Sequence, residues 1–412
     1  MPWTSEMTAT RKTLATITAL AIPWFVAAWF LWDTDVPSDL RLPALSPRNY
    51  FTAAHLDETA DYARFVRIVL VLSLVATVVA LLVLVRRMPR LARSTGLGPI
   101  GAGMIVGTVM LVVLWAVNLP FSIALRWWDD RHDLAQGSWI EWLVAPWAEL
   151  GGAVLYVMLA IAIIMGFARR YKRFWWVAVT PFFLGLSAFF LFIAPYLLAF
   201  GIDRPRDPQL RRDAQVLAVR TGAKGTPVDI EKVSNVTSQA NAFASGLGPT
   251  ERIVLWDTLL DGRFDRGEVR VVVAHEFTHI ARHHLWKGLG WFALFTFPIA
   301  FVVAEATRRR GGLGDPGVLP YGVLVLLLAN LAIAPVTNLV SRRYEAEADW
   351  GALKATHDPD SMQKLMEGFS ETSLGEPDPP EWARIFFGTH PTLMQRIEMA
   401  EAWKRERGSA TR

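Results

Sequence analysis

The chain has 412 residues, of which 52% are hydrophobic and only 19% are charged, and it contains no cysteine. This composition is too apolar for an ordinary soluble protein of this length. The absence of cysteine excludes disulfides, thiolate metal sites and a cysteine nucleophile, so any metal must be held by histidines and carboxylates. The net charge is only +4 and no long basic run is present, which argues against a nucleic-acid partner.

Long uncharged stretches recur along the chain, and each approaches the roughly 20 residues that a helix needs to cross a bilayer. They cover residues 14–32, 68–85, 100–125, 150–168, 174–202, 288–304 and 318–340. We interpret them as seven transmembrane helices, since buried core helices of a soluble domain explain so many uncharged runs poorly. The stretch 288–304 is the weakest of the seven because it is short and contains Pro298.

The apolar stretches divide the chain into four segments. Five membrane helices occupy residues 1–204, a polar segment covers 205–287, the last two helices form a hairpin over 288–340, and a second polar segment covers 341–412. In the first polar segment, alternating apolar residues predict strands at 228–233 and 252–256. The residues from 267 to 286 have the pattern of a helix.

That helix carries the most informative motif of the chain, His-Glu-Phe-Thr-His at 275–279. His275 and His279 are four residues apart and therefore share one face of a helix, which is the spacing that two imidazoles need to bind one zinc ion. Glu276 lies beside them, where it can take a proton from a zinc-activated water. The alternative is an amphipathic helix with two solvated histidines.

A catalytic zinc ion usually has a third protein ligand. A third histidine six residues after the second is excluded, since that position is Leu285. We assign His283 and His284 to the helix surface near the membrane interface. The sequence Tyr-Glu-Ala-Glu-Ala-Asp at 344–349 offers carboxylates instead.

Glu345 and Asp349 are four residues apart on one helical face. Glu345 can therefore bind zinc while Asp349 accepts a hydrogen bond from the distal nitrogen of a ligand histidine. Glu347 should point elsewhere. Two predicted spans, an even number, separate His279 from Glu345, so both lie on the same side of the membrane. Each is also within about 8–14 Å of the apolar boundary along its helix.

These motifs resemble those of the integral-membrane zinc peptidases of the CAAX prenyl protease type I family, to which the bacterial heat-shock membrane protease is related. The resemblance is specific over about residues 205–400. It implies a mainly α fold, in which a seven-helix transmembrane bundle carries a gluzincin-like α+β zinc peptidase domain split around the last two spans. The matching stretches begin at Gln239, Arg252, Val273, Tyr344 and Gly388.

The resemblance also implies roles for individual residues. One zinc ion per chain is bound by His275, His279 and Glu345, with Glu276 as general base. Asn241 binds the substrate backbone, and His390 stabilises the transition-state oxyanion. Arg396 matches a basic position near the site, which we interpret as substrate-binding.

The sequence thus predicts a zinc endopeptidase in a lipid bilayer, in the cell membrane, that acts on membrane-associated or lipidated peptides or proteins. CAAX-type C-terminal processing and membrane-protein quality control are both compatible with the residues. Two alternatives are a catalytically silent scaffold or transporter and a zinc amidase acting on lipids. The family implies a cytoplasmic zinc site, whereas the excess of Lys and Arg in the opposite short loops implies the reverse.

Overall fold

The computed structural model describes residues 21–198 and 201–410, and it is mainly helical. In the described residues the helices are α1 (Ala21–Trp32), α2 (Ala53–Ser94), α3 (Pro99–Arg131), α4 (Trp139–Tyr171), α5 (Trp175–Leu198), α6 (Pro208–Thr221), α7 (Arg266–Ala281), α8 (His284–Arg308), α9 (Leu319–Thr356), α10 (Pro359–Ser373), α11 (Glu381–Phe387) and α12 (Leu393–Ala410). The strands are β1 (Ile202–Asp203), β2 (Val228–Glu231), β3 (Ala242–Ser245) and β4 (Arg252–Trp256).

Among the described residues, five segments are long and apolar enough to cross a membrane, and they make the chain an integral membrane protein. They are Ala53–Ser94, Pro99–Arg131, Leu150–Leu197, His284–Arg308 and Pro316–Thr356. The third of them joins the larger part of α4 to nearly all of α5 across a 3-10 turn at Lys172–Phe174. The predicted first span begins outside the described residues, and its described part, α1, is a shorter apolar helix. The number of seven spans and the four-segment division stay predictions.

The helices extend well beyond the apolar stretches that predict them. Helix α2 has 42 residues and begins at a side-chain cap, in which the Thr52 hydroxyl accepts a hydrogen bond from the His55 backbone. Helix α9 has 38 residues and passes through Pro335 without ending. It therefore carries Glu345 and Asp349 as a rigid continuation of the last membrane helix.

A small sheet lies beside the membrane helices, with strand order β1-β2-β4-β3. β2 pairs in parallel with β4, while β1 and β3 pair antiparallel with β2 and β4. The predicted strands correspond to β2 and β4. Strands β1 and β3 have two and four residues, too few for an alternating pattern to stand out. β3 forms one edge of the sheet.

Helix α7 lies at the centre of the larger hydrophobic core. Its buried residues face all directions, because α6, α9, α10 and the sheet contact it from different sides. Leu217, Ile253, Phe277, Leu353 and Met362 are among the fully buried side chains of this core. A second core lies between the membrane helices. There α3 and α4 approach closely, since a methyl group at Gly103 or Gly107 would collide with α4.

The motif helix is shorter than predicted. It ends at Ala281 instead of continuing to residue 286, because His283 adopts a left-handed backbone conformation, with φ 56° and ψ 37°. The next helix, α8, begins at His284 and turns away towards the apolar region. This break changes the surroundings of His284.

Candidate metal centre

The two motif histidines are presented by a helix whose start is firmly fixed. The Asp265 carboxylate accepts a hydrogen bond from the Glu268 backbone N–H at 3.0 Å, and the Glu268 carboxylate accepts one from the Asp265 N–H at 2.6 Å. His275 and His279 lie one turn apart further along α7, with their Nε2 atoms 3.0 Å from each other. The helical spacing thus brings two potential ligand atoms to one point.

Helix α9 brings the third potential ligand to the same point. Oε2 of Glu345 lies 3.2 Å from His275 Nε2 and 3.6 Å from His279 Nε2. One ligand atom from each of the three residues lies within 4.8 Å of the other two, so the group could hold a metal ion. Helices α7 and α9 approach closely here because Gly351 faces Thr278 and leaves no space for even a Cβ atom.

The surroundings of these three side chains fit a divalent cation. Both histidines have a hydrogen-bond partner at Nδ1, which leaves each Nε2 atom available as a ligand. Oε2 of Glu345 is buried and, within the described part of the chain, has no well-formed hydrogen bond. Two lone pairs and a carboxylate oxygen therefore face one another, an arrangement that a cation stabilises.

Asp349 lies behind His275, as the sequence predicts for a carboxylate that fixes a ligand histidine. Its Oδ1 atom lies 2.9 Å from His275 Nδ1, and the side chain is fully buried. Arg396 donates two hydrogen bonds to the same carboxylate, at 2.8 and 2.6 Å. Arg396, predicted to bind substrate, is itself buried, and its guanidinium is oriented towards Asp349. This geometry favours a positioning role.

The shifted pKa values of His275 and Arg396 have the same explanation. Burial lowers the pKa of His275, but Asp349 and Glu345 raise it by more, to about 10. Burial likewise lowers the pKa of Arg396, and Asp349 raises it by more, so the net pKa is above its ordinary value. The carboxylates thus give the site a strong preference for positive charge, either a proton or a metal ion.

Glu276 and His390 are the two predicted catalytic residues. Glu276 lies between the two histidines in sequence, and its side chain is buried. It does not belong to the group of three possible ligands. His390 lies in the loop before α12, with Nε2 3.2 Å from Glu345 Oε2 and its side chain 56% exposed. The Thr389 hydroxyl lies 3.0 Å from its Nδ1. His390 therefore borders the three possible ligands on a side that solvent reaches.

Asn241 lies immediately before the edge strand β3 and is exposed. Its side-chain oxygen accepts a hydrogen bond from the Ala242 N–H at 2.9 Å, and its backbone carbonyl accepts one from the Trp256 N–H at 3.0 Å. These two bonds fix the start of β3. The substrate-binding role of Asn241 stays a prediction.

The assignment of His284 to the helix surface is wrong. His284 is buried, with Nδ1 2.9 Å from His279 Nδ1 and Nε2 2.9 Å from Glu347 Oε2. Glu347 does point away from the three ligand atoms, but it reaches the site through His284. His283, by contrast, is exposed at the helix break. The only sequence signal for this network was the presence of His284 close to the motif and of Glu347, a carboxylate with no assigned partner.

The chain is similar to known proteins over the region that holds the candidate site. Residues 204–404 match the model of peptidase family M48. The chain is 27% identical to the metalloprotease YhfN of Bacillus subtilis, over 59% of this chain and 60% of that protein. It is 26% identical to CAAX prenyl protease 1 of Saccharomyces cerevisiae, over 60% of this chain and 59% of that protein. The chain thus spans about three fifths of the length of these curated relatives.

The crystal structure of S. mikatae Ste24p has a similar fold. The two structures superimpose with a TM-score of 0.74 over 93% of this chain and 96% of that one, at 18% sequence identity. The likeness therefore includes the membrane helices as well as the metal-site region. The family M48 match covers all eight residues that the sequence singles out, and the resemblance of this chain to integral-membrane zinc metallopeptidases of the CAAX prenyl protease type I family is confirmed.

Proposed function

We propose that this protein is a membrane-embedded, zinc-dependent endopeptidase that holds one zinc ion through His275, His279 and Glu345. The observation that carries the proposal is the convergence of these three side chains within 4.8 Å. Helix α8 and most of α9 separate the two histidines from Glu345 in sequence. The three side chains can therefore converge only if the hairpin of α8 and α9 brings the chain back to α7. The family M48 match over the same residues supports this reading.

A zinc ion held by His275, His279 and Glu345 would lower the pKa of a bound water and polarise the scissile carbonyl of the substrate. Glu276 then acts as general base: it takes a proton from the water and later delivers one to the leaving amine. Its place on α7, directly after His275, keeps the carboxylate next to the ligands without making it one. No covalent bond forms between enzyme and substrate.

His390 stabilises the negative charge that develops on the carbonyl oxygen. Its Nε2 atom lies 3.2 Å from Glu345 Oε2, so a small rotation directs an N–H donor at an oxygen held next to the metal ligands. Its exposure supports this role, because a donor to the substrate must be reachable from solvent. Arg396 instead holds Asp349, and through it His275.

Asn241 and the neighbouring edge strand bind the peptide backbone. β3 pairs with β4 on one side only, so its other side offers backbone hydrogen bonds to an extended segment. Asn241 lies at the entry of this strand. An extended substrate there would run alongside α7, since β3 contacts that helix.

The substrate is a membrane-associated or lipidated peptide or protein, and the cell membrane is the proposed location. The relative from Saccharomyces cerevisiae is named a CAAX prenyl protease, which supports C-terminal processing of prenylated proteins. Quality control of membrane proteins is the second candidate class. A peptide panel with and without a farnesylated CAAX sequence separates the two.

The test is hydrolysis of this panel by detergent-purified wild type and Glu276→Gln. We expect wild type to cut and the variant to lose activity by at least about 100-fold, the scale of a general-base contribution, while both retain zinc. Glu371→Gln, which changes an exposed carboxylate of α10, is the matched control and should retain activity. Equal cleavage by wild type and Glu276→Gln would refute the role of Glu276. Inert proteins with zinc bound would favour the silent scaffold.

A further inference from the structure

A second histidine–carboxylate pair lies next to the proposed metal ligands. His284 approaches His279 on the side away from the other ligand atoms, with 2.9 Å between the two Nδ1 atoms. On its opposite edge, His284 Nε2 lies 2.9 Å from Glu347 Oε2. The side chains of His284 and Glu347 are only 5% and 2% exposed. The three side chains thus form a continuous, nearly solvent-free chain of hydrogen bonds.

The order of donors and acceptors in this series of hydrogen bonds follows from the carboxylate of Glu347 at its end. A carboxylate can only accept, so the Nε2–H of His284 donates to Glu347. A neutral His284 then has a lone pair at Nδ1, which accepts from the Nδ1–H of His279. The remaining nitrogen of His279, Nε2, carries a lone pair and faces Glu345 and His275.

The Glu347 carboxylate is itself held in place from outside the metal site. Its Oε1 atom accepts a hydrogen bond from the backbone N–H of Asp35 at 2.8 Å. Lys287 Nζ and Arg282 Nε each lie 3.8 Å from one of its oxygens. A backbone donor and two cations therefore keep this carboxylate an acceptor and fix its position. Asp35 belongs to the segment after α1, so the series of hydrogen bonds ends just beyond the short apolar helix α1.

The His284 ring is fixed by packing and by the helix break. It stacks on the Tyr344 ring, with 4.7 Å between centroids and 11° between planes. Tyr344 in turn accepts a hydrogen bond from Trp291 Nε1 at 2.8 Å. On an unbroken helix, residue 284 would lie roughly 140° around the axis from His279. The left-handed conformation of His283 turns the chain and allows the contact.

We propose that His284 is a positioning residue. It donates a hydrogen bond to Glu347 and accepts one from His279, and it thereby keeps His279 Nε2 free and directed at the metal. The inference rests on the proposed zinc site. His275 is oriented by a carboxylate directly, whereas His279 is oriented by a carboxylate through an intervening imidazole. The expected consequence of breaking this relay is weaker zinc binding.

Zinc affinity of the full-length, detergent-purified protein, measured by competition with a chelator, tests the proposal. His284→Phe preserves an aromatic ring on Tyr344 but has no nitrogen, so we expect zinc affinity to fall about 10–100-fold. His284→Asn, whose amide oxygen can accept from His279, should recover part of the loss. Tyr344→Phe is the matched control. It removes a hydroxyl from the same cluster, leaves the relay intact and should bind zinc like wild type.

Two readouts separate positioning from general disruption. The visible spectrum of the cobalt-substituted protein should change in His284→Phe and not in Tyr344→Phe, because only the former alters the ligand His279. Wild-type affinity and spectrum in His284→Phe would overturn the proposal. Equal losses of affinity in His284→Phe and Tyr344→Phe would also overturn it, since they would indicate disrupted packing.

Zinc affinity, measured together with cleavage of the peptide panel, distinguishes failure of the relay from failure of the proposed function. A wild type that binds one zinc ion but cuts no peptide refutes the peptidase proposal, while the order of affinities among the variants still supports the relay. A wild type that binds no zinc overturns both.

Discussion

The two motif histidines are supported in different ways, although they lie one turn apart on the same helix. His275 contacts Asp349 directly, and that carboxylate is held by Arg396 of α12. His279 contacts His284, and the carboxylate beyond it is held near the ends of α1 and α8. His275 is thus supported from the core of the peptidase region, and His279 from the ends of α1 and α8.

The proposed metal centre is therefore not a property of the family M48 region alone. The direct support comes from Asp349 and Arg396, which both lie within the family M48 match. The indirect support requires the segment after α1, more than 300 residues away from Glu347 in sequence. A structural change near the ends of α1 and α8 can therefore alter the position of His279 without first altering that of His275.

The largest effect is expected from Asp349→Ala. This variant leaves the Arg396 guanidinium buried without its partner, which should lower the free energy of unfolding by about 3–5 kcal/mol. Zinc affinity should also fall about 10–100-fold, because His275 loses the acceptor at Nδ1. Unfolding in detergent and chelator competition measure the two effects.

Adding Arg396→Leu to Asp349→Ala separates these effects. The double variant should recover part of the stability, since no buried charge is left unpaired, but it should not recover zinc affinity. By comparison, His284→Phe should weaken zinc binding with a smaller loss of stability, because no ion pair is broken. Equal stability losses for Asp349→Ala and His284→Phe would contradict the proposed difference between the two supports.

A smaller effect that reaches both histidines is expected from Gly351→Ala. The added methyl group meets the Thr278 side chain and must push α9 away from α7, which typically costs about 1–3 kcal/mol. Because α9 carries Glu345, Glu347 and Asp349, zinc affinity should fall as well. Gly185→Ala is the control, since its methyl group has open space. Unaltered zinc binding in Gly351→Ala would indicate that the close helix contact does not set the ligand distances.

Spacing along single helices made the direct part of the site predictable. The four-residue intervals of His275 and His279 and of Glu345 and Asp349 each define one helical face, and the structure brings all four side chains together. The even number of spans predicted between His279 and Glu345 predicts that all four lie on one side of the membrane. These inferences need only the period of a helix and the thickness of a bilayer.

The relay could not be predicted because it depends on backbone geometry that the pattern does not encode. Residues 280–286 continue a helical pattern, yet His283 breaks it, and only then does His284 face His279. The contact of Glu347 with the Asp35 backbone joins distant parts of the chain without any sequence motif. The edge strand β3 was missed for a simpler reason, since four residues carry too weak a signal.

The most direct test of the proposed metal centre is the zinc content of the purified wild-type protein together with its zinc K-edge X-ray absorption spectrum. We expect one zinc ion per chain, bound by two imidazole nitrogens and a carboxylate oxygen from His275, His279 and Glu345. A third imidazole in the zinc shell would contradict it, because His284 or His390 would then be a ligand. Failure to bind zinc in stoichiometric amount would contradict the proposed metal centre as a whole.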